Sequence, residues 1–328
     1  MNMNGADPAR PGFAGRRWRI AGALAAALFA STFPAATAET PEEGTNDLHA
    51  TSSESVALNP PAAPRLGEPI NDQALFAYLD TKGRDLLGSG RTLHDWGDLS
   101  ERKTCSLKLT AGPSRKPAVP KNASPLESAV VVVGTFYRCD KCSKTHVATA
   151  SGFFLNESGA LATCRHVLAH YSRNGKGVVV LTRDGRLCPV RSILAVDPVQ
   201  DILVLQIDGK GFSPLPLALD APIGSPITVM SHPQNHYYVL TTGVVARHGV
   251  SRKAKGPVPF LTITADFAKG SSGAPICNES GAVVGLADNT TSIYYTTEGQ
   301  RQNDLQMVLK NCIPAQSLVA LVNGRRAP

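Results

Sequence analysis

Gly270-Ser271-Ser272-Gly273-Ala274-Pro275 sets a serine in a tight, glycine-flanked turn, and what stands upstream of it decides the fold. His166 lies in Thr163-Cys164-Arg165-His166-Val167 and Asp201 opens Asp201-Ile202-Leu203-Val204-Leu205, so the order is His, Asp, Ser, with separations of 35 and 71 residues. A serine hydroxyl is a poor nucleophile at neutral pH. It needs a base within hydrogen-bond reach and a third group that holds the base in one tautomer. Ser272 is the candidate nucleophile, His166 the base and Asp201 the orienting group. Gly270 permits a sharp turn before the serine because it has no Cβ. The backbone amides of Gly270 and Ser272 can then meet the charge that develops on an attacked carbonyl oxygen. Gly273 is read as room for the substrate. Singly, each of these is an ordinary turn or strand residue; the joint order and context carry the reading. An esterase of the α/β-hydrolase fold is excluded, because that fold orders its triad Ser, Asp, His and sets the serine in G-x-S-x-G between a strand and a helix.

Outward from this turn the chain reads as many short strands. Ala129–Tyr137 (AVVVVGTFY), His146–Leu155, 160–163, 177–182, 186–196, 202–207, 227–231, 237–247, 260–265, 282–286 and 305–309 are rich in β-branched residues, and Gly, Pro, Asn or Asp fill most gaps. A last stretch, Pro314–Val322, reads as a closing helix. Many short strands broken by turns predict an all-β barrel or sandwich. Before them, residues 71–125 form an N-terminal extension. It starts with a helix capped by Asn71, with Leu75, Phe76, Leu79, Leu86 and Leu87 as a partial apolar face. It is either a small pro- or docking segment or a layer lying on the main domain.

The first 38 residues read as an export signal: basic Arg16-Arg17-Trp18-Arg19, apolar Ile20 to Ser31, and a small-residue site at Ala36-Thr37-Ala38. The apolar run is short of the roughly 20 residues that cross a bilayer, so no stable membrane insertion is expected after cleavage. Residues 39–70, rich in Pro, Ala, Ser, Thr and Glu, read as a disordered linker, and 324–328 as a tail. The net charge is +7, of which four arginines against one aspartate in the first 38 residues supply +3. No basic block interleaved with aromatics occurs, so nucleic acid is not an expected partner. The serine chemistry calls for no cofactor and no metal; its expected partners are protein or peptide substrates of an exported, periplasmic or secreted enzyme.

A resemblance adds to this. Ala150-Ser151-Gly152-Phe153-Phe154-Leu155, then Gly159, then Ala162-Thr163-Cys164-Arg165-His166-Val167 resembles a motif of trypsin-like proteases of the HtrA/Deg and glutamyl-endopeptidase type. So do Asp201-Ile202-Leu203-Val204-Leu205, Ser231-His232-Pro233 followed by Thr242-Gly243-Val244-Val245, and Gly270 to Pro275 followed by Gly281 and Val284-Gly285. The likeness covers about residues 128–323, within a domain placed at 126–323. It implies a double β-barrel of the chymotrypsin/trypsin type with a short C-terminal helix, His166 and Asp201 coming from the first barrel and Ser272 from the second. A catalytically inactive binding module of the same fold is the alternative. No PDZ-sized region follows. Ser271 stands where digestive trypsins place an aspartate that captures a newly cut N-terminus, so obligatory zymogen cleavage is not expected. Asp266, six positions before Ser272, stands at the spacing of the trypsin specificity aspartate, which implies cleavage after Lys or Arg; a structural loop aspartate is the other reading. By position, Leu286, Ala287 and Asp288 are expected to form the opposite pocket wall.

Seven cysteines in an exported chain suggest disulfides, with at least one thiol left over, and Cys164 is the candidate for it. Cys139-Asp140-Lys141-Cys142 with His146 reads first as a local disulfide closing a hairpin tip, second as a zinc knuckle that Cys105 could complete, and third as a redox pair.

Overall fold

The computed structural model describes residues 68–93, 96, 98–109, 124–253, 256–298 and 301–325. The export-signal reading and most of the linker reading fall outside these residues.

Two closed six-stranded antiparallel barrels form the body. The first runs β1 (Val130–Arg138), β2 (Thr145–Phe154), β3 (Ala160–Cys164), β6 (Ile202–Ile207), β5 (Leu187–Asp197) and β4 (Gly175–Thr182), closing back on β1. The second runs β10 (Pro275–Asn278), β11 (Val283–Glu298), β12 (Arg301–Pro314), β9 (Gly256–Ile263), β8 (Val239–Lys253) and β7 (Pro226–Ser231). Helices α1 (Asp72–Gly88), α2 (Ser124–Ala129), the single turn α3 (His166–Ala169) and α4 (Ala315–Val322) complete the fold. The expected all-β double barrel with a short closing helix is thus the architecture observed.

The four-valine run of β1 shows how residue type becomes position. A strand that faces solvent on one side alternates apolar and polar residues, whereas one buried on both faces is continuously apolar. Val131 and Val133 enter the barrel core with Phe153, Leu161 and Leu203. Val130, Val132 and Phe136 point outward and are covered by Leu75 and Leu79 of α1. Burying those two leucines contributes roughly 1.5–3 kcal/mol each at most. Asn71 caps the helix as expected, its side chain accepting from Ala74 N–H at 3.0 Å. Gly83 is required at the contact, because a Cβ there would stand 2.3 Å from the Phe136 ring. Residues 72–88 therefore lie on the first barrel. Further along the extension, Trp96 and Leu99 enter the barrel core, and Lys103 bridges to Val196.

At the other end, Leu318, Leu321 and Val322 of α4 join the core of the first barrel, although the helix follows the last strand of the second. It ties the barrels together, with Ser317 Oγ 3.1 Å from Gln200 Oε1 beside the candidate Asp201. The strands β11 and β12 run far beyond the expected 282–286 and 305–309. Their outer halves pair with each other, Thr291 with Leu309 and Ser292 with Val308, and expose Ile293, Tyr295, Leu305 and Met307. With no core on either face, the outer half of β11 lacks the alternation by which a strand is read, whereas β12 shows it at Leu305 and Met307, within the expected 305–309.

Candidate active site

Strand pairing brings two of the three candidate residues together. Cys164 at the end of β3 lies opposite Ile202 at the start of β6, so the residues just beyond, Arg165-His166 and Asp201, face each other. Asp201 adopts a left-handed conformation (φ 61), which places its carbonyl on Arg165 N–H at 2.9 Å. One carboxylate oxygen accepts from the His166 backbone N–H at 3.1 Å, and the other lies 2.5 Å from His166 Nδ1. That contact assigns the ring its proton on Nδ1 and leaves Nε2 as an acceptor. Ser272 Oγ, from the second barrel, lies 2.8 Å from Nε2. A more distant acceptor, the Asp288 carbonyl at 3.3 Å, competes weakly for the same hydroxyl proton.

Burial by itself pulls the His166 pKa down, but the hydrogen bond to Asp201 and the charges of Asp201 and Asp288 outweigh it and raise it above the usual 6.5. A base so raised accepts a proton more readily, at the cost of being already protonated at mildly acid pH.

The turn before the serine is held from two sides. The Lys269 carbonyl accepts from Gln234 N–H at 2.8 Å. A trans peptide points its N–H opposite to its C=O, so this bond aims Gly270 N–H the other way. Among the described residues no protein acceptor meets the N–H of Gly270 or of Ser272. Two uncommitted donors flanking the serine form the geometry an oxyanion requires. Gly270 itself (φ 95) could carry no side chain, since a Cβ would stand 2.5 Å from the His232 carbonyl. Ser271 is fully buried, and its Oγ donates to Ser231 Oγ at 2.9 Å and accepts from Ala268 N–H at 3.3 Å. These bonds hold the turn without a charge at that position.

Residues 150–286 match the trypsin-like peptidase domain family. That stretch is similar to trypsin-like peptidase domains. Similar proteins include a probable periplasmic serine endoprotease of DegP-like type from Pseudomonas fluorescens, 29% identical over 151 residues that make up 45% of this chain and 30% of the relative. Another of that description, from Hahella chejuensis, is 27% identical over 46% of this chain and 31% of the relative. A putative serine protease, HhoA, from Synechocystis is 29% identical over 42% of this chain and 35% of the relative. The chain thus spans about a third of the length of the curated relatives it matches.

The serine turn is held by one residue that motif reading passed over. Ser151 of β2 crosses between the barrels: its N–H donates to the Ser272 carbonyl at 3.0 Å, and its Oγ donates to the Gly270 carbonyl at 3.0 Å and accepts from His232 N–H at 3.1 Å. Its place two residues into the quoted Ala150–Leu155 stretch was the available signal. Gly273 needs a different explanation from room for substrate. A Cβ there would stand 2.4 Å from the Ser151 carbonyl and 2.4 Å from Thr163 Oγ1. The glycine lets the serine turn dock against the first barrel.

The expected pocket residues separate. Leu286 and Ala287 are fully buried in the barrel cores and offer a substrate no side-chain surface, which corrects the pocket-wall reading. Ala287 acts through its backbone, its carbonyl accepting from Gly273 N–H at 2.8 Å and from the Cys164 thiol at 3.2 Å. Asp288 does reach the site and borders a cavity of about 350 Å³ that Asn289, Thr291, Asn311, Gln200 and Phe260 also line. Asp266 is 84% exposed and pairs with Lys310 Nζ at 3.3 Å, so it forms no buried anionic floor.

The expected disulfides are not formed: all seven cysteines are free thiols. Cys164 is buried against Asp201 and Asp288, and its desolvation and their charges keep it protonated, its pKa far above the usual thiol value. Cys105 packs at the edge of the first core and is not among the donors that gather at Cys139, Cys142 and His146. The donor atoms of Cys164, His166, Asp201 and Asp288 also lie within 4.8 Å of one another, a grouping that the hydrogen bonds of the site account for.

Proposed function

We propose that this protein is an exported serine endopeptidase that cleaves peptide bonds through an acyl-enzyme formed on Ser272. The observation that carries the reading is the continuous chain Asp201 Oδ2, His166 Nδ1 at 2.5 Å, His166 Nε2, Ser272 Oγ at 2.8 Å, ending beside two unspent backbone donors. His166 Nε2 takes the hydroxyl proton as Oγ attacks the carbonyl carbon, and Asp201 stabilises the imidazolium without taking the proton. The carbonyl oxygen gains charge and is met by Gly270 N–H and Ser272 N–H. His166 then gives its proton to the departing amine, and a water activated by the same imidazole releases the acyl group.

Substrate class and location draw on the relatives, which are named periplasmic endoproteases, and on the basic-then-apolar start of the chain. Asp266 already holds a cationic partner in Lys310, so strong selectivity for Lys or Arg is not part of the proposal. Ser271, neutral and already bonded, leaves no charge for a new N-terminus to capture, so the mature chain is active without further cleavage.

Labelling with a fluorophosphonate tests the assignment. Strong labelling of the wild type, lost in Ser272→Ala and in His166→Ala, is expected. A folded wild type that does not label would replace the enzyme reading with that of an inactive binding module.

A further inference from the structure

The tip of the β1–β2 hairpin, far from any role in the proposed chemistry, gathers three metal-ligating side chains. The Sγ atoms of Cys139 and Cys142 and a ring nitrogen of His146 all lie within 4.8 Å of one another. The turn is tightly specified: Cys139 N–H donates to the Lys144 carbonyl at 2.8 Å, Ser143 N–H donates to the Cys139 carbonyl at 2.9 Å, and Ser143 takes a left-handed φ of 57. We propose that Cys139, Cys142 and His146 bind a zinc ion, with water in the fourth position.

Two observations favour the metal over a disulfide. His146 Nε2 lies 3.0 Å from Cys142 Sγ, a convergence that a disulfide neither needs nor explains. The donors are also close enough: Zn–S of about 2.3 Å and Zn–N of about 2.0 Å in tetrahedral geometry put sulfurs about 3.8 Å apart and sulfur and nitrogen about 3.5 Å apart, both inside the 4.8 Å within which the three donor atoms lie. Cys142 is exposed, so the remaining position is open to water. The nearby Asp140 carboxylate is engaged by Asn174 Nδ2 at 2.7 Å. On binding, the protons of the two thiols pass to solvent as the Zn–S bonds form, and His146 binds as the neutral ring, so affinity falls as the pH falls.

The site would clamp a segment that leads to the active centre. Tyr137, beside His146 at 6.0 Å between rings, stacks on Tyr171 at 4.2 Å, and Arg138 N–H bonds the Asn174 carbonyl at 2.8 Å. Tyr171 follows the one-turn helix that begins with His166.

The test is titration of the full chain with zinc and with cobalt(II), beside Cys142→Ser and His146→Ala. The wild type is expected to bind one zinc, to protect Cys139 and Cys142 from alkylation when loaded, and to give thiolate-to-cobalt charge-transfer absorption. Each variant is expected to lose more than the roughly 10–100-fold in affinity that outer-shell changes cost. Equal affinity in wild type and variants would overturn the proposal, as would a Cys139–Cys142 disulfide in chain isolated without reductant. Circular dichroism reports whether the variants fold. Should either fail, competition of wild-type protein against a chelating dye decides the question on the same terms.

Discussion

Replacing Ser151 by alanine removes one hydroxyl that serves two groups of the second barrel, one buried and one half-buried. The Gly270 carbonyl loses its donor at 3.0 Å and the His232 N–H loses its acceptor at 3.1 Å. Ser151 is fully buried, so bulk water does not replace the missing partner. An unsatisfied buried polar group costs about 1–3 kcal/mol, and the Gly270 carbonyl, only half-buried, costs less than a fully buried one, which puts the loss at about 2–4 kcal/mol for the pair. The chemical effect follows from place. The Gly270–Ser271 peptide lies between the two amides assigned to the oxyanion, and losing one such donor altogether costs about 10²–10³ in rate. A loosened peptide should therefore slow fluorophosphonate labelling of Ser272 about tenfold or more. Denaturant unfolding gives the stability, and labelling kinetics well below the unfolding midpoint give the reactivity. Ser225→Ala is the control: it removes a hydroxyl bonded to the Pro222 carbonyl on an exposed turn and should cost no more than about 0.5 kcal/mol. If Ser151→Ala matches that control in both stability and labelling, the reasoning that the first barrel holds the serine turn is wrong.

Three more outcomes are expected. The pKa of His166 is raised, so it is protonated and inert below a limb that lies above pH 6.5, and labelling should fall with pH through that limb; Asp288→Asn removes a charge that raises it, so the limb should move to lower pH, and an unmoved pH–rate profile would count against the assigned cause. Gly175→Ala puts a Cβ 1.9 Å from the Trp96 indole, which should be expelled at a cost of about 1–3 kcal/mol; a red shift of tryptophan emission checks this, and unchanged emission and stability would show that the extension is not packed as described. Asp266→Asn should leave the cleavage preference of a peptide library unchanged, because that carboxylate is exposed and bound to Lys310; a lost preference for Lys or Arg would restore it to the pocket.

Residue order and local context determined the triad candidates, because nucleophile, base and orienting group each sit in a short stretch whose composition is local: a glycine-flanked turn, a strand end, a strand start. Strand propensity and turn residues likewise determined the all-β class and most strand cores. The closing helix starts at Ala315, one residue inside the expected Pro314. Only the tertiary structure decided what those residues touch. Gly273 in sequence is a small residue beside a nucleophile; its reason is the backbone of another barrel, more than a hundred positions away. Leu286 and Ala287 lie at the right distance along the chain for a pocket wall, yet strand pleating turns both side chains into the cores. Asp266 has the spacing of a specificity residue, but spacing sets loop length and not which way a carboxylate faces or that Lys310 reaches it from β12. Ser151 and Gln234 carry no chemical signature, since they act by placing hydrogen bonds on a loop that the sequence keeps far from them. Side-chain type and order are properties of the chain. Contact, burial and charge pairing arise only when strands distant in sequence are brought into register.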